Sequence, residues 1–85
     1  PEDVDAMLGL ARIAVQRGQL ESAAKHLNQL LNSAETPNEE ALVMMIKVQK
    51  ALNHQVMVVR YESDLMRLFP ESKALHDVAS EGHIQ

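Results

Sequence analysis

The chain has 85 residues, a formal net charge of -4, no cysteine, and only one Tyr and one Phe. This size allows one domain with an aliphatic core, and the missing cysteines exclude disulfides, thiol chemistry and Cys-based zinc sites. The acidic balance argues against nucleic acid, whose binders present a basic face, and no apolar run approaches the roughly 18 residues that a spanning helix needs.

The first predicted helix begins near Val4. Val4, Met7, Leu8, Ala11, Ala14 and Val15 recur at helical spacing and form one apolar stripe. Leu10 and Ile13 add a second apolar flank, so this helix reads as sandwiched between neighbours. Asp3 or Asp5 near its start suits the helix dipole. Gly18 ends the helix, because a tight turn needs a left-handed residue and Gly has no Cβ to clash there. The second helix repeats the stripe with Leu20, Ala23, Ala24, Leu27, Leu30 and Leu31, its two alanines permitting close approach.

Asn32 to Thr36 reads as a loop. Thr36, Pro37 and Glu39 then fit a capping box, with Thr36 as N-cap, Pro37 at the first helical position and Glu39 at the third. The third helix carries Ala41, Leu42, Met45, Ile46, Val48, Ala51 and Leu52, and Asn53 can take the left-handed position at its end. Val56 to Val59 is β-branched, yet Val58, Tyr61, Leu65 and Leu68 keep helical spacing, so the segment is predicted helical. Pro70 stops this fourth helix at Phe69. Ser72 is expected to cap a short last helix with Leu75, Val78 and Ala79 inward, ended by Gly82.

The two helical pairs are copies. Their turns, at Gly18 and Asn53, lie 35 residues apart, a period of helical solenoids. In such folds each repeat buries its apolar face by stacking on a neighbour, and the usual output is a binding surface.

These residues resemble the tetratricopeptide (TPR) repeat family. Met7, Leu10-Ala11, Ala14, Gly18, Leu20, Ala23 and Leu27 match its consensus positions, with aliphatics or Ala in place of the aromatics. Leu42, Met45-Ile46, Asn53, Val58, Leu65 and Pro70 match more loosely in the second copy. The resemblance implies an all-α, TPR-like right-handed superhelix of two helix-turn-helix repeats plus a short C-terminal capping helix. The whole of 1–85 would form one domain: repeat one about 4–32, repeat two about 37–69, cap about 72–80. With Pro1 where an initiator Met would stand, the chain reads as a fragment of a longer protein.

A narrower resemblance is to the C-terminal part of type IV pilus biogenesis TPR lipoproteins, the pilotins of fimbrial biogenesis and twitching motility. It rests on Ala11 to Ala14, Gly18 to Leu20, Glu40 to Val48 and Tyr61 to Ser72. It implies a secretin or another pilus-assembly component as partner, and a place on the periplasmic side of the outer membrane. Without that resemblance the expectation is a cytoplasmic or envelope TPR scaffold of an unrelated complex, or a regulatory or oligomerisation appendage of an enzyme.

No chemistry competes with a binding role. His26, His54, His76 and His83 never fall at the i, i+3 or i+4 spacing that sets two metal ligands on one helix face. Glu21, Glu39 and Glu40 sit in predicted first turns, where they complement the dipole. Ser22, Ser33 and Ser63 lack a nucleophile-elbow context, and three scattered glycines make no phosphate loop. Neither enzyme activity nor a metal or cofactor is expected. The five methionines read mainly as core fillers, with Met44 the one expected at the surface.

The TPR resemblance places the concave groove on the first helix of each repeat. Its candidate protein-binding residues are Asp5, Leu8, Arg12, Val15 and Gln16, then Glu40, Val43, Lys47, Lys50 and Ala51. Arg12 and Lys47 are repeat equivalents expected side by side, able to hold a carboxylate or an acidic segment, over an apolar floor of Leu8 and Val43. Leu8 stands where carboxylate-clamp TPR domains carry a Lys, which argues against a chaperone-tail receptor. Met7 and Leu10 are expected to face outward from the first repeat, a surface through which copies could pair.

Overall fold

Among the described residues, four helices longer than one turn form in chain order: α1 (Val4–Gln16), α2 (Leu20–Ser33), α3 (Glu39–Ala51) and α4 (Gln55–Leu68). The computed structural model describes residues 4–33 and 38–75. Residues 73–75 are again helical. Among the described residues there is no strand, so the all-α expectation holds, including for the β-branched start of α4.

Both hairpins close with the same hydrogen bonds. In the first, Arg17 N donates to Ile13 O at 3.0 Å, Gly18 N to Val15 O at 3.0 Å and Gln19 N to Ala14 O at 2.8 Å. In the second, Leu52 N donates to Val48 O at 2.9 Å, Asn53 N to Lys50 O at 3.0 Å and His54 N to Gln49 O at 2.9 Å. Each partner lies 35 residues from its counterpart. The bonds satisfy carbonyls that a helix end leaves orphaned, and they require a left-handed residue at the turn. Gly18 has φ 74° and Asn53 has φ 67°, as the sequence predicts.

A Cβ at Gly18 would meet nothing within 4 Å, so only the backbone conformation resists a side chain there. Gly18→Ala is expected to cost about 1–2 kcal/mol. Urea denaturation followed by circular dichroism checks this, and an unchanged midpoint would mean that the turn relaxes out of the left-handed region.

The start of α3 departs from the expected capping box. Asn38 is the N-cap, and its Oδ1 accepts from Ala41 N at 3.1 Å. Asn caps at least as well as Thr, and using it places Glu39 and Glu40 at the first two helical positions. The expected cap Thr36 and Pro37 lie outside the described residues, as does Asp3. Helix α2 also runs on through Asn32 and Ser33, which the sequence places in a loop. At the other end Phe69 caps α4 and donates to Leu65 O at 2.7 Å, as the Pro70 stop predicts. Ser72 Oγ accepts from Ala74 N at 3.2 Å, the expected cap. The rest of the expected capping helix, with Val78, Ala79 and Gly82, lies outside the described residues.

Helix α1 packs on α2, α2 on α3 and α3 on α4, and α1 also touches α3. One core cluster joins Met7, Leu8, Ala11 and Ala14 of α1 to Ala23, Leu27 and Leu30 of α2 and to Ala41, Met45 and Val48 of α3. A second joins Leu42, Ile46, Val58 and Leu65, with Phe69, Ala74 and Leu75 packed against it. Leu31 and Tyr61 touch both. Ala11, Ala23 and Ala41 are fully enclosed, which is how the small residues let neighbouring backbones approach.

Three burial expectations change. Met7 is buried in the core instead of facing outward, because α2 covers its side of α1. Met44 is half-buried against the core, whereas Met66 is 62% exposed, on the flank of α4 about a quarter-turn from Val58 and Leu65. Ala51, placed in the α3 stripe, is exposed at the end of that helix.

Candidate functional site

The first helices of the two hairpins, α1 and α3, touch and carry the candidate groove residues. Arg12, Gln16, Lys47 and Lys50 are exposed there, with Asp5 and Glu40 at the helix starts. Val15 and Val43 are half-buried.

The structure rearranges the charges of this face. Arg12 Nη2 donates to Glu40 Oε2, joining α1 to the first turn of α3. Arg12 is therefore not a second free cation beside Lys47. Glu40 stands seven residues before Lys47, two helical turns along α3, so Arg12 engages the start of α3 and not the level of Lys47. Lys50 Nζ lies 3.9 Å from Glu62 Oε2 and so is drawn toward α4 of its own hairpin. Lys47 forms no ion pair among the described residues. Both side chains of the Arg12–Glu40 pair are about half exposed, so the pair adds at most about 1 kcal/mol to stability.

Leu8 corrects the expected apolar floor. It is 5% exposed and belongs to the core cluster with Ala41 and Met45, because α3 lies alongside and covers it. Val43 packs against the other cluster. The surface left for a ligand is thus a polar strip around Arg12, Glu40 and Lys47.

Gln49 is a buried polar side chain that an apolar-stripe reading passes over. Its Nε2 donates to Met45 Sδ at 3.4 Å and its Oε1 accepts from His54 Nδ1 at 2.8 Å. This bond fastens the second turn, so His54 is a turn residue. His26 is half-buried in α2, and His76 and His83 lie outside the described residues. Among the described residues no group of three or more His, Cys, Asp or Glu could hold a metal ion. No described helix is long and apolar enough to cross a membrane.

A second concavity lies between α2 and α4. It is an open groove of about 410 Å³ over Met45, lined by Glu21, Lys25, Gln49, Met57 and Tyr61. Sequence reasoning missed it because its walls come from two helices 35 residues apart whose outer faces read as ordinary solvated surface.

Paired helices with equivalent turns, stacked so that first helices adjoin, define a helical-repeat protein whose working parts are surfaces. The tetratricopeptide repeat family model matches residues 1–45, more than half of the chain, and the chain belongs to that family. A search of curated proteins and a search of solved structures gave no match. TPR repeats generally mediate protein–protein interaction and are typically non-catalytic.

Proposed function

We propose that this chain is a non-enzymatic interaction module of a type IV pilus biogenesis or secretin assembly factor. In this reading it acts at the periplasmic side of the outer membrane and holds a segment of a partner protein on its α1–α3 face. The observation that carries the binding face is Lys47, an exposed cation two helical turns along α3 from Glu40 of the Arg12–Glu40 pair. An acidic partner segment can engage Lys47 directly and compete with Glu40 for the bidentate Arg12 guanidinium. The pilus assignment is supported by the resemblance of Glu40 to Val48 and of Tyr61 to Ser72 to the pilotins.

The test is a pull-down from a type IV piliated bacterium with the wild-type chain and an Arg12→Glu, Lys47→Glu variant. Both residues are exposed, so circular dichroism should show the helix content unchanged. A secretin or other pilus component identified on the wild type, and reduced roughly tenfold or more on the variant (about 1.4 kcal/mol), is the expected result. Equal retention by both would remove the α1–α3 face from the proposal. Capture of no pilus component would end the pilus reading.

A further inference from the structure

Helices α2 and α4 each pack on α3, and the seam between them is a trough floored by α3. The groove over Met45 continues into an adjoining concavity of about 410 Å³ over Leu42, and the two share Asn28, Met57 and Tyr61. On the α2 wall, Glu21, Lys25, Asn28 and Asn32 recur at helical spacing and so line one face. On the α4 wall, Met57, Tyr61 and Asp64 do the same, with Arg60 beside them. From Glu21 to Asn32 the α2 wall rises about 16 Å, the span of roughly five residues of extended chain.

The trough holds polar groups that the chain itself leaves unused. Lys25 and Arg60, one on each wall, form no ion pair among the described residues, although carboxylates outnumber cations by 12 to 8 in the chain. Asp64 is taken up by Arg67 Nη2 at 3.2 Å, and Glu21 stands at one end of the trough, in the first turn of α2. The unspent charge along the rest of the trough is therefore positive. Asn32 Nδ2 donates to Asn28 Oδ1 at 3.4 Å, which leaves the Asn28 amide N–H groups and the Asn32 carbonyl oxygen able to pair with the peptide groups of another chain. Half-buried Leu31, Met57 and Tyr61 supply its apolar lining.

We infer that the α2–α4 trough is a docking site for an extended acidic segment of a partner protein, in which carboxylates alternate with apolar side chains. Successive side chains of an extended chain point to opposite faces. Alternate apolar residues can therefore lie on Leu31, Met57 and Tyr61, while the carboxylates between them reach the exposed Lys25 and Arg60. The Arg60 guanidinium can take a carboxylate bidentately. A basic segment finds no such match, because Asp64 already has a partner and only Glu21 remains to receive it. The trough uses none of the candidate residues of the α1–α3 face, and the inference stands whether or not the pilus reading does.

Titration of the isotope-labelled 85-residue chain with the peptide acetyl-Asp-Leu-Asp-Leu-Asp-amide, followed by amide NMR shifts, tests it. The shifts are expected to saturate and to centre on Lys25, Asn28, Met57 and Tyr61. A Lys25→Glu, Arg60→Glu variant should keep the dispersed spectrum of the folded chain, since both side chains are exposed. It should bind the peptide about tenfold more weakly, the loss expected of two exposed ion pairs. The Arg12→Glu, Lys47→Glu variant should bind as the wild type does, which separates this site from the α1–α3 face. Shifts centred on Arg12 and Lys47, or no saturable shift at millimolar peptide, overturn the inference. So does equal binding by the Lys25→Glu, Arg60→Glu variant, or by a peptide with lysine in place of each aspartate.

Discussion

Leu27→Ala is expected to lower the unfolding free energy by about 2–5 kcal/mol. Leu27 has no exposed surface and sits in the cluster where α1, α2 and α3 meet. Truncation removes buried methyl groups and leaves a cavity that the stacked helices can only partly close. Domains are typically stable by about 5–15 kcal/mol, so the change consumes a large share of the total. In urea the midpoint should fall with little change in slope. Leu10→Ala is the control: half of Leu10 is in solvent already, and its loss should stay under about 1 kcal/mol. A Leu27 variant as stable as the Leu10 variant would show that the first repeat and α3 do not share one core.

Ala41→Leu is expected to destabilise by about 1–3 kcal/mol, because the site has no room for three more carbons. Ala41 is fully enclosed in the cluster between α3 and its neighbours. The same substitution at its repeat equivalent, Ala6→Leu, should fall within about 0.5 kcal/mol of wild type, since Ala6 is exposed. Thermal unfolding of both variants at a concentration where the chain is monomeric separates packing from any stacking of copies. Equal effects at the two positions would contradict the assignment of Ala41 to the core.

Much of the fold was legible because its signals are local. Gly18 and Asn53 were readable as helix ends, since only Gly and a few polar residues tolerate positive φ. The stripes of α2 and α4 named Leu27, Leu30, Val58 and Leu65 correctly as interior. The cap of α3 was misplaced from Asn38 to Thr36 because both residues cap well and they stand only two positions apart.

The candidate site was less legible. Arg12, Glu40 and Lys47 were all marked as groove residues, but which of them pair depends on how α1 and α3 are offset. Leu8 was marked as accessible and proved interior for the same reason: a helix from the next repeat lies over it. Gln49 was invisible as an interior residue because its burial depends on a thioether that accepts from its Nε2 and an imidazole that donates to its Oε1.

By itself the sequence determined the helices, their turns and the 35-residue repeat, since periodicity and backbone preference act within a few residues. Only the tertiary structure decided which apolar flanks are covered. Ala6, Leu10 and Ile13 are as apolar as Ala41, Met45 and Val48, yet among the described residues α2 packs on the second set and leaves the first exposed. Burial in a stacked repeat belongs to the neighbour as much as to the residue, because each hairpin is too thin to enclose its own side chains.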